Sequence, residues 1–193
     1  MQPFEYLLLL AAVILGLAIA DLAVSLNRLL RAGRRVKWDW LAPLAALVAL
    51  TKIVTQWWIW FGVQQDARSI TFEMFLWVLL VTLVLFLLAA ASLPDEVPEE
   101  GIELRRYFDQ TGRYFFCLFA LHSTGAFLVS IWIQVQVQNH FTDFLTWRLL
   151  LPAAMIGSAV SGALISNRWW RGACLVTYLG VYLWQSAGTS LTG

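Results

Sequence analysis

Long, unbroken apolar runs separated by short polar connectors make up most of the chain. A bilayer core about 30 Å thick needs about 20 apolar residues as a helix. Six stretches come close to that length, at residues 4–26, 40–63, 71–93, 114–137, 147–166 and 172–189. None alternates with the period of two that a membrane β-barrel strand requires, so the pattern predicts helices. Charge or turn chemistry bounds each one. Asn27 and the arginines after it close the first, and Pro94 ends the third. Asp39 stands at the N-cap position of the second, with Pro43 in its first turn. Pro152 lies near the start of the fifth. Proline is tolerated early in a helix, where its missing N–H has no intrahelical partner to lose.

Composition turns this pattern into an environment. Hydrophobic residues are 60% of the chain and charged residues 13%, with a mean hydropathy of +0.71. Soluble domains carry about 25% charged residues, and one core of this size could not hide the apolar excess. The expected fold is an all-α polytopic membrane protein, a six-helix bundle forming a single transmembrane domain over residues 1–193. The lipid bilayer is its first partner. A formal net charge of +1 gives no basis for binding nucleic acid.

Lysine and arginine set the orientation. Arg28, Arg31, Arg34, Arg35 and Lys37 follow the first span, Arg105, Arg106 and Arg113 follow the third, and Arg168 and Arg171 follow the fifth. The two intervening loops hold only Arg68 and Arg148. The alternation places both termini on the non-cytoplasmic side. Tryptophans mark two belts at headgroup level. Trp38, Trp40, Trp169 and Trp170 form the inner one; Trp57, Trp58, Trp60, Trp77, Trp132, Trp147 and Trp184 form the outer. The first span lacks a basic n-region and is full length, so it reads as a membrane span and not a signal peptide. Residues 102–111 carry Ile102, Leu104, Tyr107 and Phe108 among charges, which suits either an amphipathic cytoplasmic helix or a solvated connector.

In lipid the informative residues are those that cost energy. Lys52 sits near the middle of the second span, on a face with Ala45, Ala49, Thr55 and Gln56. Placing a lysine there costs about 2.5–3.5 kcal/mol on insertion scales. Asp21, towards the cytoplasmic end of the first span, is its expected ion-pair partner, or else contacts Arg28. In the fourth span His122, Ala126, Ser130, Gln134 and Gln138 recur every four residues, beside Ser123 and Gly125. Such a stripe faces protein or water, and His122 there either relays a proton or bonds a neighbouring helix. The candidate pathway residues are therefore Asp21, Lys52, Gln56, His122, Ser130 and Gln134. Apart from these, the sixth span carries Tyr178, Tyr182 and Gln185 on one side.

Small residues form rows at Ala12–Gly16–Ala20, Ala153–Gly157–Ser161 and Ala154–Ser158–Gly162–Ser166, read as close helix packing. The third span is apolar on all sides apart from Thr82 and is expected to face lipid or a partner. Arg28, Arg31 and Arg34 repeat every third residue but lie beyond the first span, unlike a voltage sensor.

No cofactor or metal is indicated. Cys117 and Cys174 read as packing residues, and haem lacks both a second intramembrane histidine and an attachment motif. Retinal would need the Lys52–Asp21 arrangement in a different span order. No hydrolase, metalloprotease or nucleotide-binding motif occurs, so the chain is not expected to be an enzyme.

The run Ile14-Leu-Gly-Leu-Ala-Ile-Ala-Asp21, then Leu29-Leu30-Arg31 and Lys37-Trp-Asp-Trp40, resembles uncharacterised bacterial multi-spanning inner-membrane proteins over the first two spans. The resemblance implies a bacterial inner-membrane location and supplies no activity or site residues. Two functional readings follow. One is a small transporter or channel with a polar site formed by spans one, two and four, working as a homo-oligomer. The other is a non-catalytic accessory or scaffold subunit of a larger membrane complex.

Overall fold

The computed structural model describes residues 3–63, 71–138 and 147–186, with side chains described over 6–60, 71–132 and 151–183. Six helices follow one another: α1 Pro3–Ala32, α2 Leu41–Val63, α3 Phe72–Ala90, α4 Leu104–Gln138, α5 Trp147–Leu164 and α6 Arg168–Ser186. Two short strands, β1 Val36–Lys37 and β2 Ile102–Glu103, pair in parallel. Among the described residues four helices, α1 to α4, are long and apolar enough to cross a membrane. Residues Leu151–Leu164 of α5 form a shorter apolar helix. These helices fit an integral membrane protein.

The helix boundaries depart from the sequence expectation where charge and helix propensity disagree. α1 runs 30 residues, about 45 Å at 1.5 Å per residue, and continues past Asn27 through the arginines. It stops at Gly33, whose φ of 53° is a left-handed stop that glycine supplies without strain. α4 is longer still at 35 residues. The stretch 102–111 is therefore no separate amphipathic helix: β2 takes its first two residues and the rest forms the base of α4. An α-helix already nucleated by a membrane span extends by one hydrogen bond per residue. Nothing between Leu104 and Tyr114 interrupts it.

The helices close into a ring in the order α1, α3, α4, α5, α6, α2, with α2 also touching α3 and α4 across the middle. α1 presents Leu7, Ala11, Leu15, Ala18, Leu22, Ser25 and Leu29 inward, a stripe at three- and four-residue spacing. α2 approaches closely through Ala42, Ala45 and Ala49, all fully buried. α3, expected to face lipid or a partner, exposes Phe72, Leu76, Trp77, Leu80, Leu83 and Leu87 on one side but is packed on the other. It lies between α1 and α4 and buries Met74, Val78, Val81, Thr82, Leu85, Leu88 and Ala89. A hydrophobic pattern cannot distinguish the two faces of a helix when the solvent is as apolar as the core. Thr82 disposes of its hydroxyl internally, donating to Val78 O at 2.7 Å.

The small-residue rows divide in the same way. Gly162 is buried, and a Cβ there would overlap the ring of Phe116. Gly16 and Gly157 meet nothing within 4 Å, and Ala12–Gly16–Ala20 lies off the buried stripe of α1. Around Gly162, α4 supplies the aromatic core. Phe108, Phe115, Phe116 and Phe119 are all buried. Adjacent centroids lie 5.6 to 6.2 Å apart, distances at which aromatic pairs add to simple burial.

The end carrying the basic loops is tied by polar contacts. Asp39 caps α2, accepting from Leu41 N at 3.1 Å, and its other oxygen accepts from Arg168. Arg168 also lies 3.7 Å from Asp109 on α4. Asn167 caps α6, accepting from Trp169 N at 2.9 Å. Tyr107 donates towards Leu93 O at 3.0 Å and Ala91 O at 3.2 Å, beyond the end of α3. Arg171, only 3% exposed, donates to Gly162 O at 3.1 Å near the end of α5. Terminal helix carbonyls without such donors would be unsatisfied in a dry interior. Gly101, at φ 92°, lets the chain pass against the Arg35 carbonyl where the strands pair.

Gly162→Leu is expected to destabilise the bundle by about 1–3 kcal/mol through overpacking against Phe116. Gly157→Leu, at an open position, should stay within about 0.5 kcal/mol. Helical circular dichroism followed through denaturing-detergent titration separates the two; equal losses would refute the packing assignment.

Candidate functional site

Lys52 projects from the middle of α2 into the bundle and is 4% exposed. Its ammonium donates to Ser123 Oγ on α4 at 3.0 Å and to Tyr178 Oη on α6 at 2.9 Å. It also lies 4.6 Å from the ring centroid of Phe119 and 4.7 Å from that of Tyr178, within cation–π range. Hydrogen bonds to a charged group contribute about 1.5–3 kcal/mol each. A desolvated cation–π contact adds about 2 kcal/mol. Together these offset the cost of about 2.5–3.5 kcal/mol for a mid-span lysine without any carboxylate. An ammonium has three N–H donors, and the two hydroxyls occupy two of them.

Asp21 is not the partner of Lys52. It is partly exposed on α1, and the charges acting on it are Asp95 and Arg28. The reason is angular. Leu22 and Ala18 belong to the buried stripe of α1, and Asp21, one residue before Leu22, is turned about 100° off that position. Arg28 in turn donates to the backbone carbonyl of Asp95. Asp21 thus joins a surface cluster near the loop after α3.

Beside Lys52 lies a cavity of about 220 Å³. Lys52, Gln56, Ile59 and Trp60 of α2 line it, with His122, Ser123, Ala126, Phe127, Val129 and Ser130 of α4. Leu151, Pro152 and Met155 of α5 and Tyr178 and Tyr182 of α6 complete the wall. The four-residue stripe seen in the sequence thus faces this space through His122, Ala126 and Ser130. Ser130 turns its hydroxyl back to Phe127 O at 2.8 Å. Lys52, Gln56, His122 and Ser130 share one cavity, and Asp21 is absent from its wall. The side chain of Gln134 lies outside the described residues.

His122 is 3% exposed, and neither of its ring nitrogens has a hydrogen-bond partner among the described residues. Lys52 lies within its electrostatic reach. Buried polar atoms are ordinarily bonded, so a histidine without a partner on a cavity wall has donor and acceptor capacity for whatever enters. Phe119, beneath the ammonium, continues along α4 into the buried aromatic cluster of Phe115, Phe116 and Phe108 towards the basic end. No group of three or more metal-ligating side chains occurs among the described residues.

Sequence reasoning did not place Tyr178, Tyr182, Phe119 or Trp60 at the site. Tyr178 and Tyr182 stand four apart on α6 and stack with centroids 4.6 Å apart, a signal the helical spacing carried. Trp60 offered no such signal. Of the Trp57–Trp60 cluster, Trp57 and Trp58 are exposed as belt residues would be, whereas Trp60 is buried against the cavity. Cys117 is exposed on α4, not packed inside; Cys174 is buried. Compared with known protein families, curated proteins and solved structures, the chain matches none.

Lys52→Met removes the transfer cost of a buried charge together with its hydrogen bonds and cation–π contacts, so it should change stability by less than about 1 kcal/mol. Tyr178→Phe and Ser123→Ala each leave the ammonium short of an acceptor and should cost about 1–3 kcal/mol. Unfolding of the three variants in denaturing detergent gives the ranking; a Lys52→Met variant less stable than Tyr178→Phe would make the ammonium a structural tie.

Proposed function

We propose that the protein is a small transporter or channel of the bacterial inner membrane, with the Lys52–His122 cavity as the polar station on its pathway. The observation that carries this reading is the cavity itself. A lysine, an unpartnered histidine and a glutamine from two different helices face one space inside an apolar bundle. Intramembrane ionisable groups are expensive, and those lining a cavity serve pathways more often than packing. A structural ion pair would set a carboxylate against Lys52. Hydroxyls and aromatic faces hold the ammonium instead, and they leave a donor for a moving species.

The helices supporting the site also change the sequence expectation. The pathway belongs to α2, α4, α5 and α6, not to spans one, two and four. The wall runs from Lys52 past Ile59, Trp60 and Ser130, towards the ends of α2 and α4 remote from the basic loops. The buried phenylalanines of α4 lie on the basic side of Lys52, which supports entry from the other side. The basic loops support an arrangement of six spans with both chain ends on the non-cytoplasmic side.

Purified protein in liposomes carrying an entrapped pH dye and an imposed potential should conduct protons or small solutes above empty vesicles. Lys52→Ala and His122→Ala should each lower that flux at least about tenfold, a loss of about 1.4 kcal/mol or more in barrier terms. Wild-type flux equal to that of empty liposomes overturns the reading. For orientation, alkaline phosphatase fused after Lys37 should be inactive and after Gly193 active; the opposite result reverses the topology.

A further inference from the structure

We infer that the cavity binds a small organic monoanion, a short-chain monocarboxylate, with its carboxylate at Lys52 and His122 and its apolar tail along α5. This deepens the transport reading and rests on the same cavity.

Charge comes first. Lys52 is the one formal charge on the cavity wall among the described residues, and no carboxylate lines the space. Its two protein partners are neutral hydroxyls, so no protein carboxylate offsets the charge that Lys52 carries when protonated. Buried charges are ordinarily paired. An anion entering the cavity would therefore be stabilised by the field of an ammonium in a low-dielectric setting, whereas a cation would be repelled.

Hydrogen bonding comes second. His122 is buried, faces the cavity and has no partner on either nitrogen among the described residues. A neutral imidazole carries one N–H donor. With the remaining ammonium N–H it provides two donors for one carboxylate, the arrangement that makes charge-assisted pairs strong. Gln56, 8% exposed, adds an amide on the same wall.

Shape comes third. The volume of about 220 Å³ corresponds to about seven waters at 30 Å³ each, below the range of drug-sized pockets. A cavity of this size suits a small molecule. Lys52, His122 and Gln56 give the cavity polar wall, while Trp60, Phe127, Leu151 and Met155 give it apolar wall. An inorganic anion would use the polar groups and leave the apolar wall wet. A short alkyl carboxylate satisfies both.

Equilibrium dialysis of radiolabelled butyrate against the full chain in lipid nanodiscs at neutral pH tests this. The expected result is saturable binding of about one butyrate per chain, displaced by unlabelled butyrate but not by butyramide or butylammonium. Lys52→Gln should weaken it at least about tenfold, as loss of a charge-assisted contact predicts. Absence of saturable binding, equal displacement by butylammonium, or unchanged affinity in Lys52→Gln overturns the assignment. Should Lys52→Gln fail to fold by size exclusion, the three competitors on wild-type protein decide. Butyrate binding without flux in liposomes would sink the transport reading and leave the ligand class standing. Lys52-dependent flux of another solute that excess butyrate does not inhibit would sink the ligand class alone.

Discussion

An ammonium group surrounded by hydrocarbon must find its solvation inside the protein. Lys52 finds it on two other helices, α4 through Ser123 and Phe119 and α6 through Tyr178. These contacts fix the rotation of three helices at once. Ser123 must face α2, which turns His122 along the same wall, and Tyr178 must approach Phe119, with ring centroids 4.8 Å apart in an edge-to-face pair. The cavity lies beside this junction. The geometry that solvates the lysine therefore also exposes its remaining donor to an interior space.

The polar ties at the basic end hold that junction in register. Asp39 both caps α2 and pairs with Arg168 at the start of α6, so the two helices that share the Lys52–Tyr178 bond are joined a second time. Arg168 reaches Asp109 as well, bringing in the base of α4. The paired strands draw the basic segment after α1 against the acidic segment before α4, with Lys37 beside Glu103. Arg171 lies 5.9 Å over the ring of Phe116 while bonding Gly162 O. One buried arginine thus links the aromatic cluster of α4 to the end of α5.

The sequence was most legible where a residue is costly or where a cap is needed. Lys52, Gln56, His122 and Ser130 were singled out because lipid penalises them, and all four line the cavity. Asp39 was legible as an N-cap from its place before an apolar run. Legibility failed where lipid and protein interior look alike. The buried face of α3 and the outward row Ala12–Gly16–Ala20 consist of residues equally content on either side, so periodicity alone could not orient them. Asp21 was misassigned for a related reason. Depth in the membrane is readable from position along a helix, but azimuth depends on which neighbours pack against it, and α1 packs on α3 and α2 with Asp21 at the margin of the contact.

The chain by itself determined its solvent, the existence of its long apolar helices and the few polar positions that need an explanation. These follow from local quantities: transfer cost per residue, capping chemistry and the length needed to cross a bilayer. Only the tertiary structure decided that Lys52 is held by hydroxyls and aromatic faces, that α6 contributes Tyr178 and Tyr182, and that Trp60 turns inward while its neighbours face out. Those outcomes depend on helix rotation and neighbour order, set by the sum of many weak contacts between helices distant in sequence. No single segment carries that information, because in a membrane the hydrophobic effect that sorts inside from outside in water is absent between spans.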